Sequence, residues 1–105
     1  MMPDFMIRAV DYTDEGAAAR RAQVRMAHLA SVASAVAAGQ FFYGAAMLDE
    51  AGKPCGSLMC GRFADRAELE AWLAREPFVT DKVWEHIEVR ELKPGPSFMT
   101  EDDAI

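Results

Sequence analysis

Cysteine and histidine are scarce in this chain, two of each in 105 residues, and that scarcity removes several classes of chemistry. Cys55 and Cys60 stand five positions apart, so on a strand they point to opposite faces, and no second cluster exists to complete a metal site. Both read as reduced packing residues; neither a disulfide, a metal nor another cofactor is expected. No apolar run approaches the roughly 18 residues of a membrane span. Met1-Met2-Pro3-Asp4 also lacks a basic region followed by an apolar stretch. The expectation is a cytoplasmic protein with no membrane partner. Basic charge is short as well: 11 Lys and Arg against 17 Asp and Glu give a net charge of -6, and the basic residues are dispersed. A dispersed, outnumbered set of cations argues against nucleic acid as a partner.

What is present is apolar: 51% of the residues are hydrophobic, enough for one domain with one modest core, at a size where association helps stability. The reading is a single domain over residues 1–105, with a core of about 4–93 and an acidic tail at 94–105 that is mobile unless a partner subunit holds it.

Phe5 to Val10 has apolar residues on both parities and predicts a strand. Asp11-Tyr12-Thr13-Asp14-Glu15 offers turn residues and a Thr13 N-cap, with carboxylates where a helix N-terminus favours negative charge. From about Ala17 to Ala38 the chain is alanine-rich and free of proline. Leu29, Val32, Ala33 and Val36 recur at helical spacing as a buried stripe, and Gly39 caps the C-terminus. Arg21, Arg25 and His28 share one face beside that stripe, which places His28 at a border between core and solvent.

Gln40 to Leu48 and Cys55 to Phe63 read as a hairpin around Gly52 and Pro54. Asp65 to Glu68 has capping-box spacing, and Leu69, Trp72 and Leu73 form the apolar face of a second helix. Pro77 ends that helix near Arg75 and leaves Glu76 at an exit turn. Val83 to Leu92 alternates as a last strand, with Ile87 and Val89 on one parity and Trp84, His86 and Glu88 on the other. His86 therefore reads as a sheet-face or dimer-contact residue.

The order β-α-β-β-α-β is the ferredoxin-like plan, an α+β fold with a four-stranded antiparallel sheet and two helices on one face. The second strand is apolar on both parities, Phe41, Tyr43, Ala45 and Met47 against Phe42, Gly44, Ala46 and Leu48, so the other face also needs cover. A homodimer through that sheet face is the simplest arrangement.

Several features stand together in an informative order. They are Arg20 and Arg25 leading to His28-Leu29, Gly52 in a hairpin, Gly56-Ser57 opening a strand, Trp72, Glu76-Pro77-Phe78-Val79, and Val83-Trp84-Glu85-His86-Ile87. This pattern resembles the YciI-like (YCII-related) family over nearly the whole chain, to about Lys93. The resemblance implies a dimeric α+β barrel, similar to muconolactone isomerases and a dehydrochlorinase, with a histidine and an aspartate as active-site dyad. The histidine falls on His28. The aspartate of the family's Asp-Pro-Phe/Tyr motif falls on Glu76, one methylene longer, which shifts the charge on the order of 1.5 Å from the backbone unless the side chain folds back. A Gly-Pro pair of the family becomes Ala45-Ala46, and Asp11 matches a recurrent aspartate, so either Glu76 or Asp11 is the expected partner of His28.

Two readings follow. In one, His28, kept neutral by Arg25, removes a proton from a small molecule, with Glu76 or Asp11 orienting the imidazole and Arg25 and Arg21 receiving an anionic group. Isomerisation, lactone chemistry or elimination fits such a pair. Ser57, which follows Gly56 without a nucleophile elbow around it, belongs with the substrate-binding residues. In the other, the same cleft binds a metabolite without turnover, or the dimer serves a larger assembly.

Overall fold

The computed structural model describes residues 2–99. β1 (Asp4–Asp11) sends Phe5, Ile7, Ala9 and Asp11 to one face, where all four are buried. α1 (Ala17–Ala37) follows, but its N-cap is Gly16 and not Thr13. Asp14 explains the later start: its Oδ2 accepts from the Gly16 N–H at 3.2 Å, and its two oxygens take Arg20 Nη1 at 2.7 Å and Nη2 at 2.6 Å. The Arg20 guanidinium holds the Asp14 carboxyl down to a pKa of about 2. At the other end Gly39 adopts φ +78°, a conformation that costs a residue without Cβ little, and the chain turns into the sheet there.

β2 (Phe41–Leu48) and β3 (Pro54–Arg62) form the expected hairpin. Asp49 Oδ1 ties its loop by accepting from Ala51 N and Lys53 N, each at 2.9 Å, and Gly52 takes φ +79°. α2 (Arg66–Ala74) begins at Asp65, whose side chain accepts from Glu68 N at 2.8 Å, while Glu68 Oε2 reaches back to Ala64 N at 2.8 Å. A one-turn helix that the sequence reading did not anticipate, α3 (Pro77–Thr80), precedes β4 (Trp84–Leu92). A 3-10 turn at Pro96–Phe98 exposes Phe98; the expected acidic tail is described only to Met99, and 100–105 lie outside the described residues.

The strands pair antiparallel in the order β2-β3-β1-β4, the ferredoxin-like arrangement. No described helix is long and apolar enough to cross a membrane. Both cysteines are free thiols, and burial, helped by the nearby Asp4, pushes the Cys60 thiol pKa up, as befits a packing residue.

Two register shifts matter for the site. In β2 the ladder passes from Phe41–Gly61 to Tyr43–Cys60, so Phe42 is an extra residue and Phe41 turns into the core while Tyr43 faces away from the helices. Between β1 and β4 it passes from Val10–His86 to Asp11–Trp84, so Glu85 is extra. That bulge rotates Trp84 onto the helix-side face with Ile87 and Val89, against the parity expected from simple alternation.

The buried line of α1 is also displaced from the expected stripe. His28 and Ala35 are buried and Val24 and Val32 pack against the core, whereas Leu29 is 41% and Val36 52% exposed. The helix is thus turned so that a histidine, and not a leucine, meets the interior. His28 tolerates that position because its ring nitrogen and ring face both find partners.

Candidate active site

Glu76-Pro77-Phe78 is built as a single device. Pro77 occupies the first turn of α3, where its missing N–H costs nothing, and Glu76 is the N-cap. The Glu76 side chain folds back: its Oε1 accepts from Phe78 N at 3.2 Å and contacts Nδ1 of His28 across the core. The extra methylene relative to an aspartate is taken up by this reversal. Far from being a solvated helix end, Glu76 has no exposed surface at all, and its Oε2 is buried without a partner.

Because a backbone N–H already aims at Oε1, that oxygen acts as an acceptor, and Nδ1 of His28 is the donor. The other ring nitrogen, Nε2, has no hydrogen-bond partner among the described residues. Phe78, two residues after Glu76, lies flat on the imidazole with centroids 3.8 Å apart, and Trp84 meets it edge-on at 5.5 Å.

Asp11 does not take His28. Its Oδ2 accepts from Arg21 Nε at 2.7 Å, a pair of which 14% and 11% of the side-chain surfaces are exposed, and its Oδ1 is buried without a partner. Arg21 Nη2 continues to the Gly56 carbonyl at 3.0 Å and to Ser57 Oγ at 3.2 Å, while its guanidinium lies 5.0 Å from the Phe78 ring centroid. Trp84 Nε1 also donates to Ser57 Oγ, at 3.2 Å. Gly56 permits this approach of the strands, since a Cβ there would overlap the Ala9 carbonyl and the Met47 methyl.

These groups form the polar end of a pocket of about 420 Å³ between α1 and the β2–β3 hairpin. Arg21, Arg25, His28, Ser57 and Phe78 line that end; Leu29, Val32 and Val36 of α1 and Phe41 and Met59 of the sheet line the apolar remainder. Gly44, Ala45 and Ala46 leave the space open, so the stripe read as core from its periodicity is in good part the wall of a cavity. Arg25 is exposed and has no ion-pair partner among the described residues, which leaves a free cation at the mouth. His86 lies on the opposite sheet face, exposed beside Glu85.

Five of the six residues singled out from the sequence form two arms of one region, Glu76 with His28 and Asp11 with Arg21 and Ser57, and the sixth, Arg25, lines the same pocket without joining either arm. Trp84 and the stacking role of Phe78 were missed. The Glu-Pro-Phe motif was the only signal for Phe78, and nothing local marks the bulge that turns Trp84. No cluster of metal-ligating side chains occurs among the described residues.

A profile of the YCII-related domain matches residues 5–93. Among curated proteins none matches. Solved structures do: 5-chloro-2-hydroxyhydroquinone dehydrochlorinase (TftG) from Burkholderia phenoliruptrix AC1100, in complex with 2,5-dihydroxybenzoquinone, is similar with a TM-score of 0.76 at 19% identity, over 90% of this chain and 97% of that one. PA3566 from Pseudomonas aeruginosa gives 0.53 at 18%, over 90% and 95%, and Rv0793 from Mycobacterium tuberculosis 0.56 at 12%, over 94% and 100%. At these identities the likeness concerns the fold.

Proposed function

The chain belongs to the YCII-related domain family, and from that premise we propose that it is an enzyme in which His28 removes a proton from a small carbonyl or quinoid molecule. The observation that carries this reading is the fully buried Glu76 on Nδ1 of a pocket-lining histidine. Such a partner fixes the tautomer, presents Nε2 as the base and stabilises the imidazolium once it forms. Proton removal next to a carbonyl then leads to isomerisation, lactone chemistry or elimination, and the base comes from the protein itself. Arg25 supports an anionic substituent on the substrate, and the apolar walls support a ring or chain.

The structural neighbour TftG is a dehydrochlorinase seen with 2,5-dihydroxybenzoquinone, which makes a hydroxylated six-membered ring the first class to try. The test compares wild type and His28→Ala on 5-chloro-2-hydroxyhydroquinone and on a β,γ-unsaturated γ-lactone, followed by ultraviolet absorbance. Turnover that falls by about 10²–10⁴ in a folded variant supports the reading. Saturable binding without turnover by the wild type replaces it with a binding module, and equal turnover in the variant removes His28 as the base.

The same proposal includes a homodimer through the sheet face away from the helices. Tyr43, Met47 and Leu58 share that face, with Tyr43 57% exposed, and they would be covered by a second copy.

A further inference from the structure

The mechanism above uses Glu76 and His28 and leaves Ser57 unexplained. Ser57 is 6% exposed, lines the pocket, and accepts two hydrogen bonds on one oxygen, from Arg21 Nη2 and from Trp84 Nε1, both at 3.2 Å. A hydroxyl oxygen has two lone pairs and one hydrogen. Both lone pairs are taken, so this hydroxyl can only donate, and no hydrogen bond from it to an acceptor forms among the described residues. A buried donor without an acceptor is costly to keep. From this geometry we infer that Ser57 is the donor to the substrate oxygen on which negative charge develops, an inference that rests on His28 as the base.

The surroundings strengthen that donor. Arg21 is a cation, and donation from a cation onto Oγ draws electron density away from the O–H bond. Asp11 and the Gly56 carbonyl fix the guanidinium in turn, at 2.7 Å and 3.0 Å. Asp11 thus serves the second arm of the site, as a positioning residue that acts through Arg21.

The chemistry balances without a further reagent. His28 Nε2 takes a proton from the carbon next to a carbonyl; the C–H pair becomes a C=C bond, and the carbonyl π pair moves to oxygen, where the Ser57 O–H meets it. The enolate then recovers the proton from the imidazolium at another carbon, which moves a double bond, or it expels an anion from the β-carbon while the proton stays on His28 for release to solvent.

Phenolates test the donor apart from the base, because they carry the oxyanion and offer no acidic carbon-bound proton for an imidazole to remove. The probe is a series of nitro- and halophenols whose ionisation is read by absorbance in the presence of the full-length protein. Wild type should favour bound 4-nitrophenolate over the phenol about tenfold, with affinity rising as the phenolate becomes more basic. Ser57→Ala should lose most of that preference and flatten the trend. A residue that merely supports Arg21 would lower the preference without changing its slope against basicity, since the attraction of a guanidinium depends on the phenolate's whole charge, which is the same across the series. Where Ser57→Ala does not fold, Ser57→Cys keeps the volume with a weak donor and should show the same loss. An unchanged preference or trend in a folded variant overturns the inference, as does a wild type with no preference. Failure of the base shows up elsewhere: undiminished turnover in His28→Ala, with the phenolate preference still lost in Ser57→Ala.

Discussion

Phe78 lies parallel to the imidazole of His28, with ring centroids 3.8 Å apart and planes within 4°. Glu76 holds the same ring by Nδ1, so one face and one edge are fixed by residues two positions apart in the chain. Phe78→Leu keeps an apolar side chain in the core and removes the stack. The expected cost is about 1–2 kcal/mol from the lost ring contact and imperfect packing. For a domain of this size that lowers Tm by roughly 4–8 °C per kcal/mol. Turnover should fall further than stability predicts, because the base loses its alignment; thermal unfolding and kcat measured on the same preparation separate the two effects.

Glu76→Gln removes charge without removing shape. The amide oxygen can still accept from Phe78 N, so α3 keeps its cap, while the amide nitrogen takes the buried, unpartnered place of Oε2 and should lower Tm modestly. What disappears is the carboxylate facing the imidazolium that forms when His28 takes a proton. A drop of about 10²-fold or more in kcat, with KM nearly constant, is the expected result. Unchanged kcat would remove Glu76 from the mechanism and leave it as a cap.

The extent to which this site was legible in the sequence divides by range. Gly39, Gly52, Asp65 and Pro77 act within a few residues of themselves, and each lies at the element end its chemistry predicts. Arg21, Arg25 and His28 share a helix face by spacing alone, and they line one pocket. The choice between Glu76 and Asp11 was not readable, because it depends on where α3 and β1 come to lie beside α1. The bulges at Phe42 and Glu85 carry no glycine or proline, so nothing announced that Phe41 and Trp84 would turn inward. Leu29, Val32 and Val36 have the periodicity of a core stripe, and a helix that lines a cavity has the same pattern.

Asp11 and Arg21 form a pair whose loss should be asymmetric. Arg21→Met leaves Asp11 with neither oxygen partnered in a site from which water is largely excluded, at an expected cost of about 3–5 kcal/mol. Asp11→Asn in the same chain removes the stranded charge and should recover part of it. Urea unfolding of the two single variants and the double variant gives the coupling, expected at about 0.5–3 kcal/mol for residues in contact. A double variant as unstable as the sum of the singles would mean that the pair contributes only packing.

Asp14 and its partner Arg20 do not line the pocket, and they give a separate check on the start of α1. Its folded pKa of about 2 lies below the usual 3.8, through the Arg20 hydrogen bonds. A depressed carboxylate contributes stability that is present above the unfolded value and lost as pH falls through the folded one. The Asp14–Arg20 contact should therefore hold through pH 4 and give way only near pH 2. Carboxyl NMR titration should place the Asp14 midpoint near 2, and Arg20→Ala should return it toward 3.8. A midpoint at 3.8 in the wild type would mean that the contact does not persist in solution.

The sheet face away from the helices gives the last prediction. Tyr43 pairs with Cys60 and Met47 with Gly56 across β2 and β3, so both side chains point to the face that has no helix. In a two-fold dimer each substitution appears twice in the interface, and a buried lysine without a partner is costly at each appearance. Tyr43→Lys with Met47→Lys should thus convert a dimer to a monomer in sedimentation velocity. Neither residue belongs to the packed core within one chain, so each protomer should keep its fold. Wild-type Tm should rise with protein concentration and that of the double variant should not, because only the former unfolds from an associated state. A wild type that sediments as a monomer with a concentration-independent Tm would remove the dimer, and the exposed Tyr43 face would then be ordinary surface.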